Sequence, residues 1–113
     1  MKDIYGILPY NGKAYKIAFN FNVMQEIQEE YGTISAWADL TDGDEPNAKA
    51  VIFGIRAMIN EGIDISNEEN GTNDPPMTLK QVGRLITEIG FGTVTKTMNN
   101  TIVESVQGTQ KNE

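Results

Sequence analysis

The chain has 113 residues, 39% of them hydrophobic, with 9 basic and 16 acidic side chains, a net charge of −7, and neither cysteine nor histidine. That length supports one domain that buries roughly 65% of its unfolded surface in a single modest core. The missing residue types exclude disulfides, thiolate metal sites and any catalytic triad built on histidine, and the acidic balance disfavours a phosphate backbone as partner.

The first twenty residues predict a β-hairpin. Asn11-Gly12 is a strong two-residue turn signal because both residue types accept positive φ. From Lys13 to Phe19 apolar and polar residues alternate. The turn sets the register, so Leu8 faces Tyr15, Gly6 faces Ile17 and Ile4 faces Phe19 on the side that packs against helices. Pro9 falls opposite Ala14 in a non-hydrogen-bonded pair, where its missing N–H removes no ladder bond. The second face, with Tyr5, Ile7, Ala14 and Ala18, is a candidate docking surface or oligomer contact.

A first helix is expected from near Asn22, which forms a capping-box pattern with Gln25. Val23, Met24, Ile27 and Tyr31 make its apolar stripe, and Gly32 closes it. Thr33 to Leu40 reads as one short helix capped by Thr33 or Ser35. Pro46 or Asn47 opens a second long helix that runs to about Glu61, with Gly62 behind it. This helix is apolar nearly all round, and Lys49, Arg56 and Asn60 share one narrow polar face. Phe53 sits in the middle of that polar stripe. The ordinary reading is that neighbouring elements cover it; the functional one is an aromatic held out for a partner.

Ser66 to Pro76 reads as a long, mobile loop. Thr78 and Gln81 form another capping box, opening a helix with Leu79, Val82, Leu85, Ile86 and Ile89 on one face and Gly90 at its end. Phe91-Gly92 makes the corner. In the last element, from about Thr93 to Gln107, Val94, Met98, Ile102 and Val106 recur every four residues. Its many Thr and Asn residues are poor helix formers, so this helix is expected to be marginal and to lean on tertiary or partner contacts. Residues 1–108 are expected to form the single domain and Thr109 to Glu113 a disordered tail. The fold class expected is α+β, mostly α: an N-terminal β-hairpin followed by about four helices packed as a small bundle.

No catalytic constellation emerges. A calcium loop needs a glycine at its sixth position and an acid at its twelfth. Counted from Asp42 or Asp64 the sixth residue is Asn47 or Glu69, and from Ser66 the glycine fits but the twelfth residue is Met77. Gly90-Phe91-Gly92 lacks the Lys and Ser/Thr of a phosphate loop. The expectation is therefore a non-enzymatic protein without cofactor or metal. Trp37, the single tryptophan, is a candidate hot spot, set against the ordinary role of a core lid. No segment is long and apolar enough to span a membrane, and Met1-Lys2-Asp3 lacks an apolar signal core, so a soluble intracellular protein is expected.

The order of elements resembles the tail assembly chaperones of phages and prophages with long non-contractile tails, and the related proteins of gene transfer agents. The resemblance lies in the hairpin Lys13-Ala14-Tyr15-Lys16-Ile17-Ala18-Phe19 leading to Ile27-Gln28-Glu29-Glu30-Tyr31-Gly32, and in the short segment Ser35 to Leu40. It continues in the apolar helix Ala48 to Asn60 and in Thr78-Leu79-Lys80-Gln81-Val82-Gly83 running on to Glu88-Ile89-Gly90. It covers about residues 10 to 107 as a pattern of length and order, without an invariant motif. The resemblance implies a protein that binds the tape measure protein, keeps it soluble in the host cytoplasm, helps recruit tail tube protein and is absent from the mature virion. Candidate partner-binding residues are Trp37, Phe53 and Phe91, with Val94, Met98 and Ile102 of the last helix. Replacing Met98 or Ile102 by Asp is expected to weaken binding while the core survives. A weak homo-oligomer is compatible with this reading; nucleic acid and membrane are not expected as partners. The alternatives are an acidic inhibitor or DNA mimic binding a basic partner, and a small structural component of the tail.

Overall fold

The computed structural model describes residues 4–43 and 45–111, with side chains described up to Gln107. A two-stranded antiparallel hairpin, β1 (Tyr5–Tyr10) and β2 (Lys13–Ala18), precedes five helices: α1 (Phe21–Tyr31), α2 (Ile34–Thr41), α3 (Ala48–Asn70), α4 (Leu79–Ile89) and α5 (Phe91–Lys111). The expected α+β, mostly α architecture of a hairpin followed by a small helical bundle is present, and the short segment read as a helix over Thr33 to Leu40 is α2.

The hairpin has the register that its turn dictates. Gly6 pairs with Ile17, Leu8 with Tyr15 and Pro9 with Ala14, around Asn11 and Gly12 at φ 50° and 75°. Leu8 and Ile17 are fully buried. Ala18, on the other face, is also buried, while Ile7 and Ala14 remain exposed.

α3 is the spine of the molecule. It touches β2, α1, α2 and α4, and α5 closes the opposite side against β1, β2 and α4. α3 runs nine residues beyond the expected stop at Glu61, through Gly62 to a left-handed cap at Gly71. Glycine at position 62 weakens the helix intrinsically by about 1 kcal/mol relative to alanine. Here it lets the helix lie on the hairpin: a Cβ on Gly62 would stand 2.0 Å from the Lys16 carbonyl oxygen. The expected mobile loop at 66–76 is thus helical as far as Asn70, and two asparagines of α3 tie down the connection to α4. Asn67 accepts from the Asp74 N–H and the Thr72 hydroxyl and donates to the Asp74 carbonyl. Asn60 makes a two-way pair with the Met77 backbone, at 2.8 and 3.1 Å.

α1 is capped by Asn20, two residues before the expected Asn22. The Asn20 side chain accepts from the Val23 N–H at 3.2 Å, and its amide donates to Glu61 at 2.7 Å. One residue thus caps α1 and fastens it to α3. Asn22 lies inside the first turn, where its amide shares Glu61 as an acceptor at 3.1 Å. Thr33 caps α2, and the capping box of Thr78 and Gln81 at α4 is present in both directions.

The corner between α4 and α5 is Gly90 alone. At φ 109° its N–H donates to the Ile86 carbonyl while its carbonyl accepts from the Val94 N–H, so one residue ends one helix and begins the next. α5 consequently starts at Phe91 rather than Thr93. Its threonines turn their hydroxyls back on the helix: Thr95, Thr97 and Thr101 each donate to the carbonyl four residues earlier. This satisfies their polar groups without solvent. The helical backbone continues through Thr109 and Gln110 to Lys111, inside the segment expected as a disordered tail; Asn112 and Glu113 lie outside the described residues.

Candidate functional site

The candidate contact residues separate by burial. Trp37 is 2% exposed, and its indole N–H donates to the Ala50 carbonyl at 2.9 Å. It lies across α3 where Gly54 leaves room for the ring; a Cβ there would meet Trp37 Cζ2 at 2.2 Å. Val94 and Met98 are 0% and 1% exposed and belong to the core cluster with Leu8 and Ile17. Val94 and Met98 hold the fold together and are not a surface on which a partner can dock; Trp37 is equally a core residue, but it also lines a trough beside Ile102. The expected tolerance of Met98 to Asp is overturned for the same reason, since it would place a charge in the core.

Phe53, Phe91 and Ile102 do reach the surface. Phe91 stands exposed at the α4–α5 corner. Ile102 is half-buried and lines a trough of about 300 Å³ between α2 and α5, with Ile34, Trp37, Ala38 and Val103. Phe53 is half-buried. Tyr31 packs edge-on against it with ring centroids 5.5 Å apart, and the Arg56 guanidinium lies over its ring, also at 5.5 Å. The Tyr31 hydroxyl is buried with no hydrogen-bond partner among the described residues. Burial raises the Tyr31 pKa above its ordinary value, opposed by the charge of Lys49 and reinforced by that of Glu30.

The side of Phe53 that Tyr31 and Arg56 leave uncovered forms part of an open apolar groove of about 430 Å³ between α3 and α4. Ile52, Phe53, Leu79 and Gly83 form its floor, and Lys49 and Lys80 stand at its edges. Leu79 is half exposed there. The depression continues along α4 past Arg84 to Thr87 and Glu88. Periodicity places Ile52 and Phe53 on α3 and Leu79 at the start of α4, but nothing in the local pattern joins them. The one signal that could have done so is Gly83, a glycine in a strongly amphipathic helix beside the apolar stripe.

Elsewhere charges are matched singly. Lys13 meets Asp74, Lys16 meets Glu69, Lys49 meets Glu30 and Arg56 meets Glu26 at 3.0–3.9 Å. Such exposed pairs contribute at most about 1 kcal/mol each. Among the described residues no group of three or more acids could hold a metal ion, and no helix is long and apolar enough to cross a membrane. Comparison with family models, with curated proteins and with solved structures gave no match.

Proposed function

We propose that the chain is a non-catalytic assembly chaperone that holds a long helical polypeptide, the tape measure protein of a phage-type tail, in soluble form before the tail is built. The observation that carries this reading is the groove between α3 and α4. Its floor of Ile52, Phe53, Leu79 and Gly83 is open and almost wholly apolar, and the half-exposed Leu79 lies in it. A docking groove for apolar side chains is what a holder of unassembled helices requires. The order of a hairpin and helices resembling tail assembly chaperones supplies the identity of the client. The net charge of −7 helps keep a complex with an apolar client in solution. Recruitment of tail tube protein belongs to the same reading.

The test is co-expression with the long helical protein encoded just downstream of the gene. The expected result is that this protein becomes soluble and co-purifies with the chain. If it stays insoluble and the chain purifies alone, the chaperone reading fails. Presence of the chain in purified virions would instead favour a structural tail component.

A further inference from the structure

We infer that the α3–α4 groove seats an amphipathic helix whose apolar stripe is flanked by Asp and Glu. This deepens the chaperone reading and rests on it for the identity of the client. Three observations lead to it.

The first is a glycine that the fold does not need. Three glycines lie in the interiors of α3 and α4. Gly54 makes room for Trp37 and Gly62 for the Lys16 carbonyl. At Gly83 an added Cβ would meet only Ile52 Cδ1, at an ordinary 3.7 Å. Nothing inside the chain asks for a bare backbone at that point, yet helix propensity disfavours one. What its absence of side chain does is keep the groove floor deep enough for another element to approach the backbone closely.

The second is charge. In a protein of net charge −7, the groove edges carry Lys49, Lys80 and Arg84. Lys80 and Arg84 make no ion pair among the described residues, and Lys49 holds only a long contact of 3.6 Å to Glu30. Glu88, at the far end, is the one acidic residue among those that line the groove. A local basic rim on an acidic molecule is complementary to an acidic-flanked ligand and repels a basic one.

The third is the backbone around the groove. Its walls are helices, so an extended peptide finds no sheet edge to join. A helix satisfies its own backbone and offers side chains to an apolar floor. From Leu79 to Thr87 the trough runs along about 12 Å of α4, which matches two turns of a bound helix.

The experiment uses two designed helical peptides with the same apolar i, i+3, i+4, i+7 stripe, one flanked by Glu and the other by Lys. Each is titrated into the full chain by fluorescence polarisation. The Glu-flanked peptide is expected to bind about tenfold more tightly, with the difference shrinking as salt rises. The double variant K80E/R84E, changed only at exposed positions, should reverse the preference. Gly83→Leu should fill the trough and abolish binding of both peptides without lowering the melting temperature. Equal binding of both peptides, or unaltered binding by Gly83→Leu, overturns the inference; so does concentration-dependent self-association lost in Gly83→Leu, which would give the groove to a second copy. The same variants are then co-expressed with the downstream protein. If that protein is captured equally by all of them, the groove assignment falls and the chaperone reading stands. If the peptides behave as expected but the wild-type chain does not capture that protein, the groove stands and the client is wrong.

Discussion

Gly62→Ala and Gly83→Ala make the same chemical change in two helix interiors, and the structure gives them opposite signs. At either site alanine gains about 1 kcal/mol over glycine because less backbone freedom is lost on folding. At position 62 the new Cβ would stand 2.0 Å from the Lys16 carbonyl oxygen and 2.7 Å from its carbon. That is roughly 1.3 Å inside an ordinary carbon–oxygen contact. The obstacle is strand backbone, not the free end of a side chain, so relief means sliding β2 off α3 and shifting buried Leu8 and Ile17 with it. Overpacking of this kind costs about 3 kcal/mol, which leaves Gly62→Ala about 2 kcal/mol less stable than wild type. At position 83 the nearest atom is at 3.7 Å, and the gain of about 1 kcal/mol stands. The variants should therefore differ by about 3 kcal/mol, or about 12 °C in melting temperature for a chain of this length. Urea titration followed through Trp37, the single tryptophan and a buried one, gives both values from one probe. Equal stability of the two variants would refute the close helix–strand contact as the reason for Gly62.

Three other outcomes rest on particular contacts. Asn20→Ala should cost about 1–2 kcal/mol, since it removes both the α1 cap and the bond to Glu61, whereas Asn22→Ala should cost a few tenths; denaturation midpoints of the pair decide which asparagine caps. Gly90→Ala should lose about 1–3 kcal/mol because φ 109° strains any residue with a Cβ, read as an earlier thermal transition. Tyr31→Phe removes a buried hydroxyl without a partner and should be neutral or stabilising. The tyrosine pKa is raised on folding, so its protonated form is favoured in the native state. Its contribution is full below the unfolded value of 10.0 and falls as pH rises from there through the folded value. Melting curves between pH 9 and 11.5 should decline less in Tyr31→Phe than in wild type; an identical decline would remove Tyr31 from the explanation.

Local chemistry carried most of the fold into view. Asn11-Gly12 dictated a register that the hairpin adopts pair by pair, and Thr78 with Gln81 marked the start of α4. The errors arose where a distant contact outweighed a local preference. Gly62 reads as a stop, but Asn70-Gly71 offers a second one, and burial of Ile63 with the strand contact carries the helix to it. Asn20 and Asn22 are equivalent as caps until Glu61, some forty residues on, becomes a neighbour. The stripe Val94, Met98 and Ile102 was legible as apolar, but not its destination. Val94 and Met98 face the chain's own core. The hint was Gly6 on the buried side of β1, where Thr97 and Thr101 of α5 now press. For the groove, periodicity located each of its residues on a helix, but the pairing of α3 with α4 and the lack of cover over Phe53 exist only in three dimensions.

The hairpin's position between α3 and α5 has a consequence for how the chain is made. Gly6 touches Thr97 and Thr101, roughly 95 residues further along. At a synthesis rate of about 5–20 residues per second, β1 waits on the order of 5–20 s before α5 has even been polymerised. Until then the apolar side of the hairpin, with Leu8 of β1 and Ile17 of β2, lacks the helix that closes over it. A segment translated well before α5 is thus sealed only after it, so the nascent chain passes through a period in which the ribosome carries an unfinished core.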